Sequence, residues 1–301
     1  MHAFSRLGIA AAVALIVTAA GEAASPPRDR QGPSKPTVEL TGNDDLRPIF
    51  HFGARDNRTQ PGRIRFRCGI DTPLLHDCGR IYQPFSALAF GPHVLRTRAL
   101  DLAGNASRLT TTAFTVNGHW DAAEDFPLAP HQENPAHDRY GNTTWFYLYD
   151  ALTHDPTQYQ ALPEYRQPDA NNGAWDLGLH QNGSNTTPIV GVASRDLYFH
   201  PDRDYFAVLG WRSPYTGKIA VHVQLRFPDL VLQAPSNGVA WTINRNATQL
   251  LGDILTATGQ VNATFSLDIS VGETIYLVIG NNGDSDYDST VGSFTVRTLF
   301  E

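Results

Sequence analysis

The 301-residue chain reads as an all-β protein built from two sandwiches, one small and one larger. Three observations lead there. Charged residues make up only 18% of the chain, against 25 Gly and 20 Pro, a balance that favours many short strands and turns. No stretch shows the apolar spacing of a long amphipathic helix. In residues 219–227, Ile219, Val221, Val223, Leu225 and Phe227 share one face while Ala220, His222, Gln224 and Arg226 share the other, the period of a half-buried strand.

An apolar run, Tyr205-Phe206-Ala207-Val208-Leu209-Gly210-Trp211, precedes that strand across a segment holding Pro214 and Gly217. The pair is expected to form an antiparallel hairpin, with everything after about residue 119 covering it.

At the N-terminus, residues 1–24 carry Arg6, an apolar run from Leu7 to Ala20, and small residues at Ala20, Ala23 and Ala24. This is the pattern of a cleaved secretory signal peptide, too short to span a bilayer, and no later stretch reaches the ~20 apolar residues a span needs. The expectation is a secreted or cell-surface protein with no transmembrane segment after signal cleavage. Residues 25–36, rich in Pro, Arg, Gly and Ser, are expected as a disordered linker.

Residues 37–117 hold short strand-like runs at 38–40, 48–52, 64–68, 93–99 and 110–116, separated by turn signals. Cys68 and Cys78 are the only cysteines. An exported context lets them pair, and a ring that small stabilises by roughly 3 kcal/mol. In the Asp-Leu-Ala-Gly-Asn turn, Asp101 and Asn105 are placed to cap the backbone, and Gly104 to take a positive φ.

The runs Phe66-Arg67-Cys68-Gly69-Ile70-Asp71 and Gly91-Pro92-His93-Val94-Leu95-Arg96-Thr97-Arg98-Ala99-Leu100-Asp101-Leu102-Ala103-Gly104-Asn105, with Cys78 between them, resemble bacterial immunoglobulin-like modules of secreted and surface proteins. Thr97 stands where that family usually has Val, and Pro92 lies inside its Gly-x-His segment. The resemblance covers about 80 residues and implies a spacer or presenting role.

Beyond Asn117-Gly118 the composition turns acidic, with 9 basic against 21 acidic residues, where residues 25–117 hold 13 against 8. Phosphates would be repelled by the acidic part, so nucleic acid is excluded as its partner. Residues 119–181 are aromatic and loop-rich, and strand-like runs resume at 188–192, 197–199, 238–243, 263–269, 274–279 and 293–299. Nine or ten strands without helices suffice for a two-sheet jelly-roll-type sandwich over residues 118–301. His200-Pro201, Trp211-Arg212-Ser213-Pro214, Gly238-Val239-Ala240-Trp241 and Ser270-Val271-Gly272-Glu273 resemble bacterial exported β-sandwich domains akin to carbohydrate-binding jelly rolls. That resemblance implies a fold and carries no chemistry.

Candidate ligand-binding residues are Trp145, Tyr147 and Trp175, whose ring faces can stack on sugars if exposed, with Asn142, Asn171, Asn172 and Asp176 nearby to bond hydroxyls. Trp211 and Trp241, inside strands, are expected in the core. Asp284, Asp286 and Asp288 alternate like the start of a calcium loop, but Ser289 and Thr295 stand where an EF-hand needs Gly and Glu. The EF-hand is therefore excluded, leaving either a structural calcium ion at a sandwich edge or a solvated turn with Asp288 capping Thr290.

No Gly-x-Ser-x-Gly elbow or zinc-type histidine spacing occurs. Paired carboxylates for glycoside hydrolysis would have to come from Glu124, Asp125, Glu133, Asp138 and Glu164. The sequence thus favours a secreted, non-catalytic binding protein, carbohydrate-binding or adhesive, with extracellular polysaccharide or glycan as the candidate partner and the first sandwich as spacer. A protein-interaction surface without a sugar ligand, and a polysaccharide hydrolase or lyase, are the alternatives. Oligomeric state is not legible.

Overall fold

The computed structural model describes residues 28–42, 45–128, 132–178, 187–228, 236–256 and 258–300. The expected signal peptide, residues 1–24, lies outside them. Within the described residues the chain is all-β, with a single short 3-10 turn at Pro61–Arg63.

The first sandwich contains β1 (Thr37–Thr41), β2 (Ile49–Gly53), β3 (Arg65–Ile70), β4 (His76–Cys78), β5 (Ile81–Tyr82), β6 (Gly91–Leu100) and β7 (Thr110–Val116). They form a three-stranded sheet, β1-β2-β5, and a four-stranded sheet, β4-β3-β6-β7. Phe50, Phe52, Phe66, Leu95, Ala99 and Phe114 fill the space between them. Cys68 and Cys78 are disulfide-bonded across the β3–β4 pair. As the sequence predicts, Asp101 accepts from the Asn105 backbone N–H at 2.7 Å and from its side-chain amide at 2.8 Å, while Gly104 takes φ +89°. Residues 28–36, expected as a linker, form no strand but lie against this sandwich. Asn105 Nδ2 donates to the Asp29 carbonyl at 3.2 Å and Ser34 N to that of Arg55 at 2.8 Å.

The larger sandwich holds β8 (His119–Asp121), β9 (Ala136–His137), β10 (Thr143–Asp150), β11 (Gln160–Ala161), β12 (Glu164–Asp169), β13 (Asn172–Asp176), β14 (Ile189–Ala193) and β15 (Asp196–His200). It continues with β16 (Phe206–Arg212), β17 (Gly217–Arg226), β18 (Val239–Arg245), β19 (Thr248–Leu255), β20 (Gln260–Ile269), β21 (Thr274–Asn281) and β22 (Thr290–Thr298). One sheet runs β11-β10-β16-β21-β18-β19 with β9 beside β10; the other runs β12-β13-β14-β15-β22-β17-β20 with β8 beside β22. All ladders are antiparallel.

The expected hairpin does not form. β16 pairs with β10 and β21 in the seven-stranded sheet, whereas β17 pairs with β20 and β22 in the eight-stranded one. The segment with Pro214 and Gly217 therefore crosses from one layer to the other. The residue patterns explain the split: every residue of β16 except Arg212 is buried, so it needs cover on both faces. β17 alternates and needs cover on one.

The two sheets share one large core of Trp120, Trp145, Tyr147, Trp175, Trp211, Phe294 and the inward aliphatics of β14 to β22. Phe90, at the end of the first sandwich, inserts against it with ring centroids 5.3 Å from Trp120 and 5.1 Å from Tyr140.

Candidate functional site

Strand alternation decides which side chains leave the core. On the eight-stranded sheet most outward residues of β17, the edge strand β20 and β22 are polar: His222 and Gln224 on β17, Asn262 and Thr264 on β20, Ser293, Thr295 and Arg297 on β22, with Ala220 and Val291 in the same rows. His119 and Asp121 of β8 continue the rows, Arg297 lying opposite His119 and Thr295 opposite Asp121. Pleated strands set such groups about 4.8 Å apart across the sheet and about 6.8 Å apart along it.

The same face runs through β15, β14, β13 and β12, where Tyr198, Gly191, Ala174 and Arg166 fall in register. Here the face sinks into an open cleft of about 440 Å³ lined by Arg166, Gln167, Asn172, Ala174, Asp176, Ile189, Ala193 and Tyr198. That volume suits a small ligand or one segment of a chain-like one. Small residues make the floor, and Gly191 cannot be otherwise: a Cβ there would sit 2.4 Å from the Gly173 carbonyl oxygen.

Polar groups in the cleft are fixed by neighbours. Arg166 Nε meets Asp176 Oδ2 at 2.7 Å, the carboxylate side chain being 2% exposed against 30% for the arginine. Such a pair holds only because it is matched, and removing one partner would leave an uncompensated buried charge. Asn172 donates to Asp169 at 2.5 Å and accepts from Ser194 N at 3.0 Å. The Tyr198 hydroxyl lies 3.0 Å from Ser289 Oγ.

Of the predicted ligand residues only Asn172, with Asp176 of the neighbouring candidates, reaches this cleft. Trp145 and Tyr147 are 0% exposed and Trp175 6%, so the three aromatics proposed as stacking platforms are core residues instead. Tyr147 and Trp175 stack on each other at 6.2 Å, and burial pushes the Tyr147 hydroxyl well above its ordinary pKa. The physical reason lies in register: Trp145 and Tyr147 share the face of β10 opposite Trp211 and Leu209, which points between the sheets. Asn142 serves Asp138, and Asn171 is an exposed turn residue. What the sequence reading missed is Arg166, Gln167 and Tyr198, which become neighbours only through strand pairing.

The predicted carboxylates partly assemble. Glu124, Asp125, Glu133 and Asp138 line a second cleft of about 600 Å³, without Glu164. Each has an evident partner. Asp138 accepts from Trp120 Nε1 at 2.7 Å, Thr144 Oγ1 at 3.0 Å and the Tyr140 and Asn142 backbone N–H groups. Asp125 accepts from Trp145 Nε1 at 3.1 Å, Glu124 pairs with Arg139, and Glu133 with His137 at 2.9 Å. Burial raises the Asp125 carboxyl to about 6, against the opposing pull of Trp145 and Arg139. These carboxylates anchor indoles and basic side chains around the cleft.

Among the described residues, two side-chain groups each bring three metal-type ligand atoms together within 4.8 Å. In His119, Asp121 and Glu124, Arg297 already donates to His119 Nδ1 at 3.1 Å and Arg139 pairs with Glu124, an environment that repels a cation. In Asp29, Asp56 and Asp101, Asn105 satisfies Asp101, and backbone N–H groups of Thr59 and Arg58 hold the Asp56 carboxyl below its usual pKa. Asp56 keeps one oxygen without a donor, on a residue partly open to water.

The acidic turn differs from the predicted cap. Thr290 donates to the Asp288 backbone carbonyl at 3.2 Å, whereas the Asp288 carboxylate is fully buried and accepts from Ser236 at 3.0 Å. Burial, reinforced by the charges of Asp284 and Asp286, lifts that carboxyl to about 6.

No protein-family model and no curated protein sequence matches the chain. Solved structures do, at low similarity. A structure of the CBM51-2 and INT domains of Clostridium perfringens ZmpB is 11% identical with a TM-score of 0.33, covering 83% of this chain and 44% of its own. A CBM51 domain of Clostridium perfringens GH95 in complex with methyl-galactose is 13% identical with a TM-score of 0.29, covering 45% of this chain and 88% of its own. The secreted serine protease VesC of Vibrio cholerae matches at 8% identity and TM-score 0.25, over 86% of this chain and 46% of its own. The chain thus spans less than half the length of the first of these, and likeness at this level assigns it no activity.

Proposed function

We propose that the protein is an exported, non-catalytic binding protein that takes a glycan on the outward face of its eight-stranded sheet, with the cleft around Arg166, Asn172, Asp176 and Tyr198 as the principal subsite. One observation carries the reading: that face offers water a broad surface of hydrogen-bonding side chains on a rigid strand lattice, and it deepens where the floor residues are small. Sugar hydroxyls need donors and acceptors at fixed spacing, and planar Arg, Asn and Asp groups already held by neighbours lose little freedom on binding. Tyr198, half-buried, offers the aromatic contact that the core tryptophans do not.

The first sandwich serves as a spacer. Its strand order, β1-β2-β5 against β4-β3-β6-β7, supports the immunoglobulin-like reading, with the fourth strand beside the third. Its disulfide departs from the antibody pattern by joining neighbouring strands of one sheet.

A glycan array probed with the full chain tests the proposal, followed by Ala174→Trp to fill the cleft. Saccharide binding that Ala174→Trp abolishes without lowering the melting temperature supports it; silence of the unmodified protein across the array, or binding indifferent to Ala174→Trp, sinks it. Burial of all five tryptophans favours the protein-interaction reading instead, and a silent array would leave that one standing.

A further inference from the structure

The segment between β21 and β22, residues 282–289, contains a carboxylate whose needs the described residues do not meet. Asp288 is 0% exposed. Its Oδ1 accepts from Ser236 Oγ at 3.0 Å, while Oδ2, sealed from solvent, has no hydrogen-bond donor among the described residues. Leaving a charged buried oxygen unpaired costs more than leaving a neutral group so. No Lys, Arg or His among the described residues forms an ion pair with Asp284, Asp286 or Asp288. The local charge is therefore of one sign.

Around this oxygen the backbone is fastened down. Asn237 Nδ2 donates to the Asn282 carbonyl at 2.8 Å and to Asp284 Oδ2 at 3.0 Å, and Asn282 Nδ2 returns a bond to the Asn237 carbonyl at 2.9 Å. Adjacent residues Ser236 and Asn237 thus tie Asp288 and Asp284 to the same place. A rigid turn carrying an unpaired buried oxygen and two more carboxylates is what a hard, oxygen-seeking divalent cation stabilises.

We propose that this turn binds calcium through Asp288 Oδ2, with Asp284 and Asp286 supplying further charge directly or through water. The three aspartates do not close into one tight three-oxygen cluster, so neutral protein oxygens complete the shell around the buried Oδ2. The affinity belongs to the weak extracellular class, with Kd on the order of 10⁻⁴–10⁻³ M.

The site also reaches the proposed glycan cleft. Ser289, the next residue, holds the Tyr198 hydroxyl at 3.0 Å, and Tyr198 lines that cleft. Calcium at Asp288 fixes Ser289 and with it the aromatic wall. This consequence rests on the glycan reading; calcium binding itself does not.

The experiment is a titration of the full chain with calcium chloride, at matched ionic strength, followed by thermal melting. A rise of about 5 °C or more at a hundredfold excess over Kd is expected. Asp288→Asn should abolish the rise while melting no lower than the unmodified protein without calcium, because the amide removes the unpaired charge. Ser289→Ala and Tyr198→Phe should keep it. No rise in the unmodified protein, or a full rise in Asp288→Asn, overturns the proposal and leaves the glycan reading intact. A rise without any effect of calcium on saccharide binding breaks only the link to the cleft.

Discussion

The two sheets of the larger sandwich share a core but present opposite characters to the outside. On the seven-stranded sheet, Leu148, Phe206, Val208 and Val278 form an outward apolar cluster with Phe146, Tyr159 and Tyr276. The chain roofs it with residues 151–159. Asp150, fully buried, accepts from Thr153 and His154, the His154 ring lies 4.7 Å from Phe206, and Tyr159 meets Tyr276 edge-on at 5.2 Å. On the eight-stranded sheet the outward residues of β17, β20 and β22 are mostly His, Gln, Asn, Ser, Thr and Arg, partly or fully open to water. A face that must leave water is closed by the protein's own loop, whereas a face that satisfies water stays available to a ligand. That contrast, more than any single residue, locates the candidate site.

The comparison can be broken at several points. The largest effect belongs to the core beneath both faces: Trp145→Ala should cost about 3–5 kcal/mol in chemical denaturation, since the ring is fully buried and its indole anchors Asp125. If it instead abolished saccharide binding at unchanged stability, Trp145 would be a platform after all. On the roofed face, Phe206→Ala should cost about 3 kcal/mol, because the His154 side of the roof loses its packing. A loss below about 0.5 kcal/mol would mean the roof is not closed.

A pH scan sharpens the core further. The Asp125 carboxyl titrates near 6 in the fold, against an ordinary value of 3.8, with Trp145, Arg139 and Asp138 as its neighbours. The folded state therefore holds a proton that the unfolded chain has released, and stability falls as pH rises through the window between those two values. Asp125→Asn should reduce the slope of melting temperature between about pH 4 and pH 6, leaving the part that Asp288 contributes; an unchanged slope would show that the carboxyl is not shielded. The smallest effect is expected on the open face, where His222→Ala should change stability by no more than about 0.5 kcal/mol despite its 2.8 Å contact with Thr264. A cost matching that of Phe206→Ala would erase the distinction between the two faces.

Local readings held where the physics is local. The alternation over 219–227 gives β17 its one buried face, and the Asp101–Asn105 turn closes through the expected bonds. The disulfide forms between the two cysteines present. The hairpin failed because turn residues report that the chain reverses or bends, not which layer the next strand joins. The aromatic candidates failed for a related reason: an indole in a loop-rich stretch has the same sequence signature whether its strand turns it inward or outward. Arg166 and Tyr198 stand 32 residues apart and meet only because β12, β13, β14 and β15 pair in one register.

From its sequence alone this protein was bound to be made of strands, to carry one covered or two covered faces on particular strands, and to keep a fixed turn at Asp101. Those properties depend on the side chains of neighbouring residues and on the backbone angles they permit. Only the tertiary structure decided which sheet each strand entered, that all five tryptophans would lie inside, and that Arg166, Asn172, Asp176 and Tyr198 would share a cleft. Pairing between strands distant in sequence is set by the packing of the whole core, and no short stretch carries that information.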